Sequence, residues 1–300
     1  NSLNNTLSVY ILIINNIKLN AYKMNNLEMN DAEIKIQHKI LKEVVWKDLV
    51  PLKQLDVYSE LLLSLPWLLV SLGLAYFEWY IASLFCSFMF FLTGLRQVHN
   101  AFHFALGISR EKTHWAMLIL SVLMLGSMHA VQINHLRHHQ HCMQDEDVEA
   151  KSARMKWWQA LLFGPIFPLM LHKKAFDVGT STQRKWMTAE LIANFILVVT
   201  VFFILDLFLI ESTVLKYHVI AMLVGQCMTA FFAVWTVHHD TEDHVYMART
   251  VRNEFKRVVT YNMFYHVEHH LFPAVPTRHL HILAKRLDQY DPSVEIREVF

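Results

Sequence analysis

The chain has 300 residues, 54% hydrophobic and only 18% charged, with 27 Lys and Arg against 26 Asp and Glu. Soluble domains carry about 25% charged residues, so this chain is short of polar surface, and a net charge of +1 offers no basic field for nucleic acid. Three cysteines (Cys86, Cys142, Cys227), an odd number without CxxC spacing, fit neither a disulfide framework nor a cysteine-zinc site. Composition thus argues against a secreted, nucleic-acid-binding or disordered protein. It leaves 19 histidines to be explained.

In chain order, the first 30 residues hold nine of the 14 Asn and differ from everything after them. Residues 1–28 are set apart as an uninformative extension, non-native or disordered, with Met24 or Met29 as candidate natural starts. Val9–Ile14 is too short to cross a bilayer, and no signal-peptide pattern is present. Residues 30–58 read as an amphipathic, mixed-charge segment on a surface. One domain is expected over 29–300.

Four apolar runs follow. Residues 61–77 and 79–95, separated by Glu78, read as a tight transmembrane hairpin. Residues 189–210 and 214–237, with Glu211 at the turn, form a second. A crossing helix needs about 20 residues, so the first pair is short and the second ample. Two further apolar segments, 115–133 and 158–171, are interrupted by polar residues (Ser121, Ser127, His129, Gln132) and by Pro165 and Pro168. The fold class expected is an all-α integral membrane protein: two helical hairpins, four spans, and a cytosolic helical cap rich in histidine. Beyond residue 93, every Lys and Arg except Lys216 lies outside the hairpin turns, which places both turns away from the cytoplasm.

Three histidine clusters stand beside these spans. His99-Asn-Ala-Phe-His103 follows the second span, His135-Leu-Arg-His138-His139 lies between the hairpins, and His266-Val-Glu-His269-His270 follows the last span. On a helix, residues three or four apart share a face, so each cluster can aim two or three imidazoles at one point. Imidazole suits iron, copper, zinc or nickel, whereas calcium and magnesium prefer oxygen. Eight imidazoles exceed the positions of one ion, so two ions are implied.

Topology adds a constraint. Were 115–133 to cross the membrane, the first two clusters would sit about 30 Å apart. That segment is therefore expected to lie at the interface or to dip in and return. A ninth ligand is expected from the pair at the end of the fourth span, His239 slightly favoured over His238. His114, His172 and His218 read as interfacial, His279 and His281 as solvent-facing, and His129, His141 and His244 as outer partners of the ligands. Asn134, Asp145, Asp147, Asp240, Asp243, Asn262 and Glu268 are candidates to orient the ligand rings. Phe85, Phe88, Phe90, Phe91, Phe231, Phe232 and Trp235 are candidates to line an acyl tunnel, set against ordinary helix packing. A metal transporter would carry its polar groups at mid-span, and a di-haem cytochrome would face single His pairs across a bundle; neither pattern is present.

The set HNAFH, HLRHH and HVEHH, the last followed by LFPAVP, resembles the membrane fatty-acid desaturase/hydroxylase family of non-haem di-iron enzymes over about residues 55–290. The resemblance implies that His99, His103, His135, His138, His139, His266, His269 and His270 hold two Fe ions, with His239 or His238 as the extra ligand. It implies an O2-dependent oxidation of a membrane lipid or carrier-bound acyl chain, with desaturation ahead of hydroxylation or ketolation of a fatty acyl, carotenoid or other apolar substrate. With no HPGG signature in the chain, electrons are expected from a separate donor of ferredoxin, rubredoxin or cytochrome b5 type. The third cluster begins with His and not with the Gln of front-end desaturases, and the first is HxxxH, unlike the HxxxxH of acyl-CoA desaturases.

Overall fold

A computed structural model describes residues 39–244, 246–290 and 296–299; the extension 1–28 lies outside them. Twelve α-helices of six or more residues organise the described residues: α1 (Gln54–Leu61), α2 (Leu65–Tyr76), α3 (Tyr80–Phe102), α4 (Arg110–Met124), α5 (Met128–His141), α6 (Trp157–Phe163), α7 (Phe167–Val178), α8 (Ser181–Val199), α9 (Thr213–Thr229), α10 (Glu254–Val259), α11 (His266–Leu271) and α12 (Leu280–Tyr290). Extended pairing among the described residues is confined to one parallel bridge, Thr250 with Glu298.

Four helical stretches are long and apolar enough to cross a membrane: Gln54–Tyr76, Tyr80–Phe102, Ser181–Leu207 and Thr213–His238. All four predicted spans are present, with shifted ends. The first begins earlier than the apolar run and includes α1, and the second runs on to Phe102 because buried polar residues such as Arg96, Gln97 and Asn100 continue the helix. Glu78, at φ 61°, makes the turn between α2 and α3.

The stretch expected to dip and return is two helices, α4 and α5, bent by 111°. Leu125 takes a left-handed conformation at the end of α4, and Ser127 restarts the chain by accepting a hydrogen bond from Ala130 N–H. Buried Glu190 of α8 secures this corner: its Oε2 accepts from Ser127 Oγ at 2.6 Å and His129 N–H at 3.2 Å, and its Oε1 lies 2.7 Å from His129 Nδ1. His129 in turn meets His114 at 2.9 Å, and the Trp186 ring stacks on both. The carboxylate sits where the α5 dipole is positive. An ionisable cluster in an apolar bundle is expensive unless each group is paired, and here the pairing fixes the start of the helix that carries three clustered histidines.

The spans differ in surroundings. Within its most apolar stretch Tyr80–Phe102 is 67% buried and Ser181–Leu207 only 11%, so α3 is central and α8 faces outward. α6 packs tightly on α9: a Cβ on Gly164 would collide with the Cys227 carbonyl oxygen, a close approach of the kind small residues allow between membrane helices. Both long C-terminal spans contain a π-helical turn, Thr200–Ile204 after α8 and Ala230–Trp235 after α9. On the histidine-bearing side, Ile40, Val44, Trp46 and Leu49 pack against Phe264, Phe272, Leu280 and Leu283. The N-terminal segment is thereby joined to α12.

Candidate metal centre

Three helix ends and one span end converge. α3 delivers His99 and His103, α5 delivers His135, His138 and His139, α11 delivers His266, His269 and His270, and the π turn after α9 leads to His238. Nitrogen atoms of His99, His103, His135 and His269 lie within 4.8 Å of one another, as do those of His138, His238, His266 and His270. His139 adjoins the first set, its Nε2 at 2.9 Å from His269 Nε2 and 3.1 Å from His135 Nε2. In the second set, Nε2 to Nε2 separations are 3.0 Å for His138 and His238, 3.2 Å for His138 and His270, 2.9 Å for His238 and His266, and 3.1 Å for His266 and His270. Because α3 and α5 end at the same place, the α4–α5 pair returns to the side it left, as the spacing argument required.

The nitrogens are prepared as electron-pair donors. His135 Nδ1 lies 3.0 Å from Glu149 Oε1, His138 Nδ1 lies 2.7 Å from Asp147 Oδ2, and His238 Nδ1 lies 2.7 Å from the Met247 carbonyl. A proton held at Nδ1 by such an acceptor leaves the Nε2 lone pair facing the cluster. Burial, then neighbouring imidazoles, hold His266 and His269 well below the usual histidine range, so both are neutral. Burial raises the Asp147 carboxyl, but the hydrogen bonds it accepts from His138 Nδ1–H and from the backbone N–H groups of Ala150 and Met143 favour the ionised form.

Converging lone pairs about 3 Å apart repel unless a cation lies among them. Two ligands at right angles on a metal, each about 2.1 Å away, stand about 3.0 Å apart, which matches the separations here. The buried Nε2 of His99, which has no hydrogen-bond partner among the described residues, is likewise open to a cation. The donor set, nitrogen throughout, suits transition ions that favour imidazole.

The geometry reverses the preference between the paired histidines. His238 joins the cluster, whereas His239 stacks on Trp235 with centroids 3.9 Å apart and has Nδ1 at 2.8 Å from the Trp235 carbonyl. The π turn at Ala230–Trp235 adds a residue to the helical turn and shifts the following register, which α-helical spacing does not anticipate.

Of the seven residues expected to orient ligand rings, Asp147 does so. Asn134 instead donates to the Ala130 and Leu171 carbonyls. Asp145, Asp240 and Asp243 are exposed and face Arg154, Arg249 and Arg297. Asn262 meets Arg257 and the Arg278 carbonyl, and buried Glu268 accepts from Thr250 and pairs with Arg252 at 2.7 Å. His129 serves Glu190 rather than a ligand, while His141 and His244 meet Gln144 and the Tyr246 N–H. His279 and His281 are half-buried against the Leu49 and Arg278 carbonyls, not turned to solvent. Glu149 was not anticipated; the acidic run after the second cluster is its sequence signal. Met247 acts through its backbone and left none.

Glu60, fully buried, ties the first cluster to the third. It receives hydrogen bonds from Arg96, Asn100 and Arg278, and Asn100 accepts from both Thr277 N–H and Oγ1. Asn100 lies between His99 and His103 in α3, so this network sets the height of α3 against the chain that follows α11.

An apolar cavity of ≈ 80 Å³ reaches His99, His135, His266 and Glu149, and a second of ≈ 250 Å³ lies between α3 and α9. Leu95 and Phe232 line both, so the two adjoin. Of the aromatic residues proposed for a tunnel, Phe88, Phe91 and Phe232 line these spaces. Phe85 is exposed, Phe90 packs on His218, and Phe231 stacks on Trp235.

The fatty acid desaturase family model matches residues 55–298, and the chain belongs to that family. Comparison with curated proteins and with solved structures gives no match. Family, helical bundle and histidine clusters define a multi-pass membrane oxidoreductase.

Proposed function

We propose that the nine clustered imidazoles hold two non-haem iron ions and that the protein uses O2 to introduce a double bond into a lipid acyl chain. The observation that carries this reading is the junction of two all-imidazole sets with an apolar cavity whose wall includes His99, His135 and His266. When bound, the irons would supply, with O2, the oxidising power that an unactivated methylene group demands. The chain's own groups orient and exclude. Asp147, Glu149 and the Met247 carbonyl fix the rings of His138, His135 and His238. The apolar wall from Phe91 and Phe232 toward His266 admits a hydrocarbon and keeps water from the site.

The distribution of Lys and Arg supports a centre on the cytoplasmic side, and electrons would come from a separate redox protein. Metal analysis of the purified chain tests the centre: two irons per chain and no haem absorption support it, and zinc or haem overturns it. Expression in a host of known lipid composition, with acyl profiling by mass spectrometry, tests the reaction. A new double bond is expected; a new hydroxyl group, or oxidation of a supplied carotenoid with acyl chains unchanged, assigns the alternative outcome.

A further inference from the structure

Between the bridge residue Thr250 and the third histidine cluster, α10 presents an apolar face that no described residue covers. Phe255, Val258 and Val259, at positions i, i+3 and i+4, are 77%, 60% and 46% exposed, although the core of the histidine-side cap lies close by. The helix is nonetheless well made: Asn253 accepts from Lys256 N–H at its start, and Arg257 pairs with Glu254 at 2.5 Å. Its exposure is therefore a property of an ordered element.

Its position explains the face. Tyr261 follows α10; its hydroxyl accepts from Trp67 Nε1 at 3.0 Å, and its carbonyl accepts from Arg96 at 2.9 Å. Trp67 stands in the first turn of α2, whose Leu69 and Val70 are themselves 60% and 49% exposed as lipid-facing residues are. The apolar face of α10 thus continues the lipid-facing wall of the first span at its histidine-side end. The Trp67–Tyr261 pair at that junction has the amphipathic character that settles at headgroup depth.

We propose that α10 is an interfacial anchor, buried through Phe255, Val258 and Val259 in the phospholipid leaflet on the histidine side of the membrane. A short helix with apolar residues on one face and charges on the other is suited to the boundary between headgroups and acyl chains. A protein partner is the poorer occupant, since a stable interface engages about 20–30 residues a side and this face offers three. Beyond α10 the chain turns through Tyr261 and Asn262, at φ 53° and 61°, and Met263 and Phe264 then line the cavity that reaches His266. The anchor therefore holds one wall of the cavity at the membrane surface. The proposal rests on the membrane placement of the bundle and not on the chemistry of the metal centre.

Photocrosslinking tests it. A benzophenone amino acid is placed at Phe255, at Val258 or, as a control, at Asp145, whose side chain is 99% exposed in a polar region, in the full chain reconstituted in phosphatidylcholine vesicles. Mass spectrometry of the irradiated protein is expected to find about tenfold more phospholipid adduct at 255 and 258 than at 145. Adduct at 255 no greater than at 145, or crosslinks there to a second polypeptide, would overturn the proposal. No step depends on turnover, so failure here leaves the reading of the metal centre untouched.

Discussion

The Oδ2 of Asp147 lies 2.7 Å from Nδ1 of His138, and Oδ2 also accepts the Met143 N–H at 3.0 Å while Oδ1 accepts that of Ala150 at 3.1 Å. One carboxylate thus aligns a clustered imidazole and holds the loop that follows α5. Asp147→Ala is expected to weaken metal retention by about 10–100-fold, the range for such supporting partners, with the helical content unchanged. Asp147→Asn keeps one acceptor and is expected to lose less. Chelator competition on the purified variants measures both.

His238 and His239 are neighbours with opposite expected phenotypes. His238→Ala removes a converging nitrogen and is expected to lose bound metal and activity at least about 100-fold. His239→Ala removes a ring stacked on Trp235 and should keep the metal. His138→Ala and His269→Ala should abolish turnover while the protein still inserts. Normal iron content in His238→Ala would remove that residue from the ligand set.

Glu190 accepts three hydrogen-bonding groups at the α4–α5 corner. Its replacement by Ala leaves Ser127 Oγ and His129 without their partner in a buried site, at an expected cost of about 1–3 kcal/mol. A lower thermal midpoint in detergent is the readout. An unchanged midpoint would show that the corner holds without the carboxylate.

Gly164 meets the backbone of α9 directly. Gly164→Ala is expected to separate α6 from α9 at a cost of about 1–3 kcal/mol or more, as overpacked sites do, and to lower the yield of folded protein. Gly73, with open space at its Cβ position, is the matched control, and Gly73→Ala should be neutral or nearly so. Monodisperse yield after detergent extraction compares the two.

Asp48 and Arg286 join the N-terminal segment to α12 through two bonds of 2.7 Å. The Arg286 hydrogen bonds hold the Asp48 carboxyl below its ordinary 3.8. Its folded-state pKa is depressed, so its contribution is complete above about pH 4 and is lost as pH falls through the lowered value. The stability difference between wild type and Asp48→Asn should therefore be constant near neutrality and shrink below pH 3.8. Limited proteolysis of the N-terminal segment across that range reads it.

Residue order alone is enough to read the class of protein, the four spans and eight of the clustered histidines. Apolar run length is a direct measure of what can cross a bilayer, and i, i+3 and i+4 spacing is a direct measure of what shares a helical face. The same geometry required residues 115–133 to turn back, because two clusters cannot meet across a membrane. Tertiary structure decided the rest. Behind a π turn it is the His238 ring, not that of His239, that meets the cluster, and such a turn leaves no hydrophobic period to read. Glu149, at the start of a 3-10 turn, and the Met247 carbonyl reach their histidines across irregular chain, where sequence distance carries no angular information. Glu60 and Glu190 look like stray charges near apolar runs until helices distant in sequence bring Arg96, Arg278, Ser127 and His129 to them. Burial makes such pairings obligatory, and only the packed bundle shows which partners satisfy them.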